Sequence, residues 1–291
     1  MSFRRIALIQ LVSSQHVEKN LPRVQSLIDE ALADGAQSIF LPENFAALAH
    51  PNPHEIGLAE STREGPIRRF LSDTARSNSC WIFAGTCPVA TSPSGEPVAD
   101  NRVRAASLVI DPKGEEVARY DKIHMFDVDV ADNQKSYRES DTFEAGSDVV
   151  AVDTPMGRFG LTVCYDLRFP ELYRELFLRD VDFVTAPSAF TTITGEEHFK
   201  LLMRARAVEN CCFTIAACQG GSHDSGRETW GHSMVCNPWG EVVGELDTGE
   251  GILVVDIDLS IQAQLRKDMP FRRQLRLLED PNRPRTRPLE I

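Results

Sequence analysis

The chain predicts an α/β fold: one large domain in which sheets are covered by helices. Three observations carry that expectation. Continuous apolar runs such as Ser38-Ile39-Phe40-Leu41 and Trp81-Ile82-Phe83-Ala84-Gly85-Thr86 are what strands buried on both faces require. Segments with helical spacing alternate with these runs. No linker-like break, internal repeat or low-complexity stretch divides the 291 residues, a length that suits one large core or two average ones.

The elements follow in order. Residues 4–10 read as a first strand, because Gln10 interrupts the apolar run and no signal-peptide cleavage pattern follows. Asn20 can cap a helix with Val24, Leu27, Ile28, Ala31 and Leu32 on one face and Gly35 at its end. Strand 38–41 stops at Pro42-Glu43. Gly65-Pro66 opens a second helix with Ile67, Phe70 and Leu71 on one side. Strands 104–110 and 116–121 are joined by the turn Asp111-Pro112-Lys113-Gly114. Strands 148–152 and 159–164 flank Thr154-Pro155-Met156-Gly157, and further strands are expected at 181–186, 211–218, 232–237 and 251–257. Helices are expected at 170–179 and 195–210, the latter with Thr194 and Glu197 as a capping box. A short helix follows Leu259. Residues 1–270 form the domain, and 271–291 a Pro/Arg-rich tail.

Composition narrows the function. At 42% hydrophobic and 25% charged, the chain is an ordinary globular one. Lys plus Arg number 31 against 43 for Asp plus Glu, a net charge of -12. That balance argues against sequence-independent nucleic-acid binding and against anionic membrane surfaces, since both need surplus cations. No apolar stretch approaches the ~18 residues of a membrane helix. The seven cysteines form no CxxC pair, and an odd number of free thiols suits a reducing cytoplasm. The seven histidines show no metal-ligand spacing, and neither a GxSxG elbow nor a glycine-rich phosphate loop is present. No metal and no cofactor are expected.

The chemistry shows as a coincidence of position. Glu43, Lys122 and Cys164 each stand at or just past the end of an expected strand, where ligand crevices form in sheets covered by helices. Cys164 sits where the apolar run Gly160 to Val163 meets a helix opened by Pro170. An elbow of that kind, near unpaired N–H groups and a positive helix end, favours the nucleophilic thiolate. Passing a proton from a free thiol to a free carboxylate costs roughly 6 kcal/mol, so a neighbouring cation is needed. Lys122 is suited to that task and Glu43 to general acid–base work. Taken singly, each has an ordinary reading as a core cysteine, a loop carboxylate or a surface lysine.

Three segments in order, Leu41-Pro42-Glu43-Asn44-Phe45, Tyr120-Asp121-Lys122-Ile123-His124 and Cys164-Tyr165-Asp166-Leu167-Arg168-Phe169-Pro170-Glu171, resemble the nitrilase superfamily of carbon–nitrogen hydrolases. The resemblance covers almost the whole chain. It implies a four-layer α-β-β-α sandwich in a single domain, with Cys164 as nucleophile, Glu43 as base and Lys122 as the lysine that stabilises the oxyanion. It also implies that Glu139, in Tyr137-Arg138-Glu139-Ser140, helps position the substrate, and that the Tyr165 N–H completes the oxyanion hole. It implies a homodimer or higher homo-oligomer, with the tail after residue 270 crossing the interface.

Within the superfamily the chain is most similar to the branch of deaminated glutathione amidases and ω-amidases. The resemblance rests on Pro187 to Gly195, Arg204 to Asn210, Trp230 to Met234 and Asn237 to Gly240. Pro187-Ser188-Ala189-Phe190 and Ala216 to Gly221 resemble the former more. This implies a cysteine-thioester amidase acting on the amide of a small 2-oxo acid, deaminated glutathione first, giving 2-oxoglutarate and Cys-Gly. 2-Oxoglutaramate and N-carbamoyl amino acids are the rival substrates, and a catalytically silent ligand-binding scaffold the rival class. Such a substrate carries a carboxylate, for which Arg168, four residues past the nucleophile, is the candidate grip; a structural ion pair is its other reading. Phe190, Thr191 and Thr192 could line the pocket or form a plain loop. His124, two residues from Lys122, is expected to orient or pack rather than form a Cys–His dyad.

Overall fold

The computed structural model describes residues 4–276. In its first half, β1 (Arg4–Gln10), α1 (Val17–Ala33), β2 (Ser38–Phe40), α2 (Pro53–Ala59), α3 (Pro66–Asn78), β3 (Trp81–Val89), β4 (Arg104–Ile110) and β5 (Glu116–Asp121) follow one another. A small hairpin, β6 (Asp127–Asp129) and β7 (Ser136–Arg138), then leads to β8 (Ala151–Thr154) and β9 (Gly157–Leu161). Next come a 3₁₀ turn at Cys164–Arg168, α4 (Pro170–Leu178) and β10 (Phe183–Thr185). The short α5 (Thr192–Thr194) passes through one wide turn into α6 (Lys200–Asn210). The chain closes with β11 (Phe213–Ala216), hairpin strands β12 (Gly220–Ser222) and β13 (Glu228–Trp230), then β14 (Met234–Cys236), β15 (Val242–Glu245), β16 (Gly251–Ile257), α7 (Leu259–Asp268) and α8 (Phe271–Gln274).

Twelve of the strands make two six-stranded sheets, ordered β16-β1-β2-β3-β4-β5 and β15-β14-β11-β10-β9-β8. Each sheet has three parallel central strands, β1, β2 and β3 in one and β9, β10 and β11 in the other, flanked by antiparallel neighbours. Alternation along β1 explains the layering. Ile6 and Leu8 join the core between the sheets, while Ala7 and Ile9 pack against Val24, Leu27 and Ile28 of α1 and Leu71 of α3. On the far side, Leu172 and Leu176 of α4 and Met203 and Ala207 of α6 cover the second sheet. The result is the expected α-β-β-α sandwich.

A run of aromatic rings stitches the sheets together. Phe40 stacks on Phe83 with centroids 4.5 Å apart, Phe83 meets Phe159 at 4.4 Å, and Phe159 stacks on Phe183 at 4.5 Å. Each buried ring contributes on the order of 2–3 kcal/mol. Because β4 and β5 return antiparallel, β5 points the same way as β2 and β3. The segments after β2 and β5 therefore leave from one edge of the first sheet.

Several local expectations need correction. Asn20 does not cap α1, which begins at Val17; its buried amide accepts from Ser14 N and donates to the Ser14 and Ala46 carbonyls, clamping a loop instead. The cap before α5 is Thr191, whose Oγ1 accepts from the Thr194 N–H at 3.3 Å, so Thr194 and Glu197 form no capping box. Strand β9 ends at Leu161, not at Cys164. The β6–β7 and β12–β13 hairpins and α2 carry too few periodic residues to be read in advance. α8 packs on its own subunit through an Arg272–Asp180 ion pair and a bond from Arg272 Nη2 to the Leu178 carbonyl at 2.7 Å. The remainder of the expected interface-crossing tail lies outside the described residues. Among the described residues, no helix is long and apolar enough to cross a membrane.

One glycine sets the position of the loop after β2. A Cβ on Gly85 of β3 would lie 1.9 Å from the Pro42 oxygen and 2.2 Å from its carbonyl carbon. Both are backbone atoms, so the clash is relieved only by moving a strand or the Pro42–Glu43 peptide. Gly85→Ala is expected to lower stability by about 1–3 kcal/mol and to depress activity with it. Urea unfolding measures the first, and an unchanged midpoint would show that β3 and the loop have room to spare.

Candidate active site

Glu43 follows β2 and Pro42, and two contacts hold its backbone. Gln219 Nε2 donates to the Glu43 carbonyl at 3.0 Å and to Ser13 Oγ at 2.8 Å. The next residue, Asn44, takes the left-handed conformation (φ 53°) and donates its N–H to Thr86 Oγ1 at 2.8 Å. Lys122 stands one residue beyond β5, with its N–H on the Ala105 carbonyl at 3.0 Å. Cys164 opens the 3₁₀ turn at φ 48°, a conformation that costs an L-residue about 1–2 kcal/mol. Its N–H donates to the Pro187 carbonyl at 3.0 Å, which ties the elbow to the segment after β10.

Asp166 links the lysine segment to the cysteine elbow. This fully buried carboxylate accepts from Tyr120 Oη at 2.7 Å, Val163 N at 2.8 Å, His124 N at 3.1 Å and His124 Nδ1 at 2.7 Å. His124 also stacks on Phe169 with centroids 3.6 Å apart. Its ring is thus committed to orientation and packing, and it is absent from the cavity wall.

Glu43, Lys122, Glu139 and Cys164 all line one cavity of about 270 Å³. Lys122 Nζ donates to Glu43 Oε1 at 2.8 Å and to both Glu139 oxygens at 2.8 Å. Glu139 Oε2 also accepts from the Phe126 N–H at 2.6 Å. An ammonium has three hydrogens; the two Glu139 oxygens lie too close together to be met by separate ones, so these contacts engage one hydrogen toward Glu43 and one shared between the Glu139 oxygens. Burial pulls Lys122 down, but Glu139 and Glu43 outweigh it and hold the ammonium well above its usual range. Burial raises the Glu139 carboxyl against the pull of Lys122.

The resting thiol differs from the expected thiolate. Burial pushes Cys164 well above the ordinary thiol range, and the negative charge of Glu43 adds to the effect; Lys122 and the Ala189 N–H oppose it. The physical reason is that the sulfur is buried, so its anion loses hydration, and Glu43 stands close enough to add its repulsion. Glu43 is thereby the nearby proton acceptor for the attack. The Tyr165 N–H, in the first turn after Cys164, has no acceptor inside that turn.

The residues lining the cavity include Phe126, Tyr137, Tyr165 and Phe190. Arg168 does not line it. Its guanidinium is 5.7 Å from the Tyr165 centroid and 5.8 Å from that of Phe190, with Nη2 3.2 Å from His198 Nδ1. A spacing of four residues shares a face in an α-helix, but at three residues per turn it diverges by about a third of a turn. Thr191 is buried as a cap, and Thr192 faces a separate small cleft with Asp132 and Asn133. Sequence reasoning missed Gln219 and Asp166 as positioning groups and Arg138 and Arg227 as cavity cations. Only Arg138, beside Glu139, carried any local signal.

The sign of the thiol shift is testable. Thiolate absorbance of Cys164 is expected to appear only above the usual thiol range in the wild-type protein. Glu43→Gln removes the raising charge and leaves Lys122, so the midpoint should fall. A midpoint that rises or stays in place would contradict the assignment of Glu43 as the thiol's neighbour.

Known proteins share this fold. The carbon–nitrogen hydrolase family model matches residues 5–267. A deaminated glutathione amidase of Yersinia enterocolitica is 40% identical over 273 residues, covering 93% of this chain and 92% of that protein. The structure of Caenorhabditis elegans NitFhit aligns with a TM-score of 0.83 at 34% identity, over 95% of this chain but only 66% of the longer NitFhit chain. Saccharomyces cerevisiae Nit3, a member of branch 10 of the nitrilase superfamily, aligns with a TM-score of 0.80 at 28% identity, over 92% of this chain and 94% of its own.

Proposed function

The chain belongs to the carbon–nitrogen hydrolase family, and from that premise we propose that it hydrolyses the amide of deaminated glutathione through a Cys164 thioester. The observation that carries this reading is the meeting of Glu43, Lys122, Glu139 and Cys164 in one cavity. The similarity to an amidase named for that substrate supports its identity.

The steps follow from the geometry. As the sulfur attacks the amide carbon, the thiol proton passes to Glu43, the carboxylate whose charge acts on it in the same cavity. The carbonyl oxygen becomes an oxyanion facing the Tyr165 N–H and the charge of Lys122. Collapse of this intermediate breaks the C–N bond, and the leaving amine of Cys-Gly takes the proton from Glu43. Water then gives a proton back to Glu43 and attacks the thioester, releasing 2-oxoglutarate and returning the proton to sulfur. Lys122 meets Glu43 and Glu139 through three close contacts, two of them to one carboxylate, and acts on the oxyanion through its charge and any hydrogen those carboxylates leave free.

Two further properties belong to the same reading. The seven cysteines are all free and buried, which suits a reducing cytoplasm. A homodimer is supported by the exposed apolar side chains of Leu201 (66%), Val208 (43%) and Trp239 (58%); Gly240, next to Trp239, packs against Val208 on α6. Trp239→Glu should then shift the mass measured by light scattering toward the monomer, and a wild-type monomer would remove the dimer.

The central experiment is a substrate panel of deaminated glutathione, 2-oxoglutaramate and N-carbamoyl amino acids, following product acid and amine or ammonia. Deaminated glutathione is expected to give the highest kcat/KM. Preference for either rival would replace the substrate but keep the chemistry. Cys164→Ser and Glu43→Gln should fold normally and lose at least ~10³ in kcat. Retention of full activity by either would overturn the mechanism.

A further inference from the structure

An amide nitrogen has to depart within reach of the group that protonates it. Here that group is Glu43, so the leaving amine, and whatever it carries, lies on the Glu43 side of the cavity. The chain that follows Glu43 supplies wall there. Ala47, Ala49, His50, Pro53 and Ile56 all line the cavity, together with Pro88 of β3. None of the six is a carboxylate, lysine or arginine, and all but His50 have side chains of carbon alone. The cations of the wall come from other segments: Lys122 after β5, Arg138 at the end of β7 and Arg227 just before β13.

This apolar stretch is held in place along its length. Ser13 Oγ donates to the Phe45 carbonyl at 2.9 Å, Asn20 Nδ2 to the Ala46 carbonyl at 2.7 Å, and the Leu48 N–H to the Ser14 carbonyl at 3.0 Å. His50 Nδ1 accepts from the Asn52 N–H at 3.1 Å as the chain enters α2. Two bonds dock the stretch on either side of Pro88. The Asn44 N–H reaches Thr86 Oγ1 at 2.8 Å, and the Ala90 N–H reaches the Gly57 carbonyl at 2.9 Å. A Cβ on Gly57 would lie 2.5 Å from Val103 Cγ1 and 3.0 Å from the Ala90 nitrogen, so α2 rests directly on the end of β3. Wall fixed in this way does not close over when unoccupied. Ammonia as the leaving group would cover none of it, whereas each methylene that displaces water from it is worth about fourfold in binding.

We propose that Ala47, Pro53, Ile56 and Pro88 form a subsite for the side chain of the departing amine, and that the enzyme therefore prefers secondary amides of a compact, uncharged amino acid over primary amides. The inference rests on the amidase reading of the same cavity and deepens it by naming the leaving half. The cysteine of Cys-Gly suits such a subsite: its short side chain behaves as a small hydrophobe and branches one carbon from the nitrogen that Glu43 protonates. An aspartate in its place would bring a carboxylate beside Glu43, with no lysine or arginine in the subsite to meet it.

The test varies only the leaving half. The 2-oxoglutaryl amides of Cys-Gly, Ala-Gly, Gly-Gly and Asp-Gly, and the primary amide 2-oxoglutaramate, share one acyl group, so its binding cancels in ratios of kcat/KM. The wild type should favour the Cys-Gly amide over the Gly-Gly amide by about tenfold, place Ala-Gly between them and handle Asp-Gly worse than Gly-Gly. Ala47→Leu fills the subsite and should lower the ratio of the Cys-Gly amide to the primary amide by about 10- to 100-fold. Ile56→Ala enlarges it, a change that remains informative if the larger residue at position 47 disturbs folding: the ratio of the Leu-Gly amide to the Cys-Gly amide should rise about tenfold. Equal rates for the Cys-Gly and Gly-Gly amides in the wild type, or ratios that stay in place in the folded variants, overturn the proposal. Should the wild type cleave none of these amides, the 2-oxo acid reading fails by itself, and the comparison passes to propionamide and N-propylpropionamide. A ratio between those two that moves in the variants sustains the subsite; an unmoved ratio, or cleavage of neither, overturns it.

Discussion

A single buried ammonium, Lys122, bonded to carboxylates that arrive from two different parts of the chain, is the constraint on which the site depends. Glu43 comes from the end of β2 and Glu139 from the base of the β6–β7 hairpin. Desolvating three charges is costly, and their attraction offsets that cost only when every donor and acceptor is matched. Lys122 meets both carboxylates at 2.8 Å, so a shift of either loop breaks an ion pair with a buried ammonium. The cluster thus fixes the relative positions of three segments to within hydrogen-bond tolerance. The nucleophile beside it is governed chiefly by burial, which raises the Cys164 thiol, with Glu43 adding to the rise and Lys122 opposing it.

The sandwich delivers these segments to one place. β5 runs in the direction of β2 because two antiparallel steps separate it from β3, so Glu43 and Lys122 leave the same edge of the first sheet. Cys164 and Ala189 come from the second sheet, after β9 and β10, and the bond from the Cys164 N–H to the Pro187 carbonyl joins those two segments. The packed phenylalanine rings set the spacing between the sheets. Asp166 then ties the lysine segment to the cysteine elbow directly, through Tyr120 and His124 on one side and Val163 on the other. The backbone strain at Cys164 is held by these same bonds.

Comparison of expectation with structure shows which kinds of signal travel. Strand runs with continuous apolar character were legible because burial on both faces leaves a mark in composition, as at Ile39 and Phe40 or Ile82 and Phe83. The helix opening at Gly65-Pro66 was legible from local stereochemistry. Asn20 and Thr194 misled because a capping residue type serves equally well as a loop clamp or a neighbour of the true cap. Arg168 was singled out by residue type, as a guanidinium able to grip a carboxylate, and residue type does not say how the side chain leaves the 3₁₀ turn. Glu139 looked like any loop charge, and its role came from family resemblance alone.

By itself the chain determined its α/β class, the strand-end positions of Glu43, Lys122 and Cys164, and the chemistry those residue types can perform. These are local properties, written in residue spacing and in the pairing of acid, amine and thiol. Tertiary structure alone decided that Lys122 meets Glu43 and Glu139 together, that burial and Glu43 raise the Cys164 thiol, and that Arg138 and Arg227 line the cavity. Such facts depend on which loops meet across two sheets. No window of sequence contains that distance, because charge and desolvation act through space rather than along the chain.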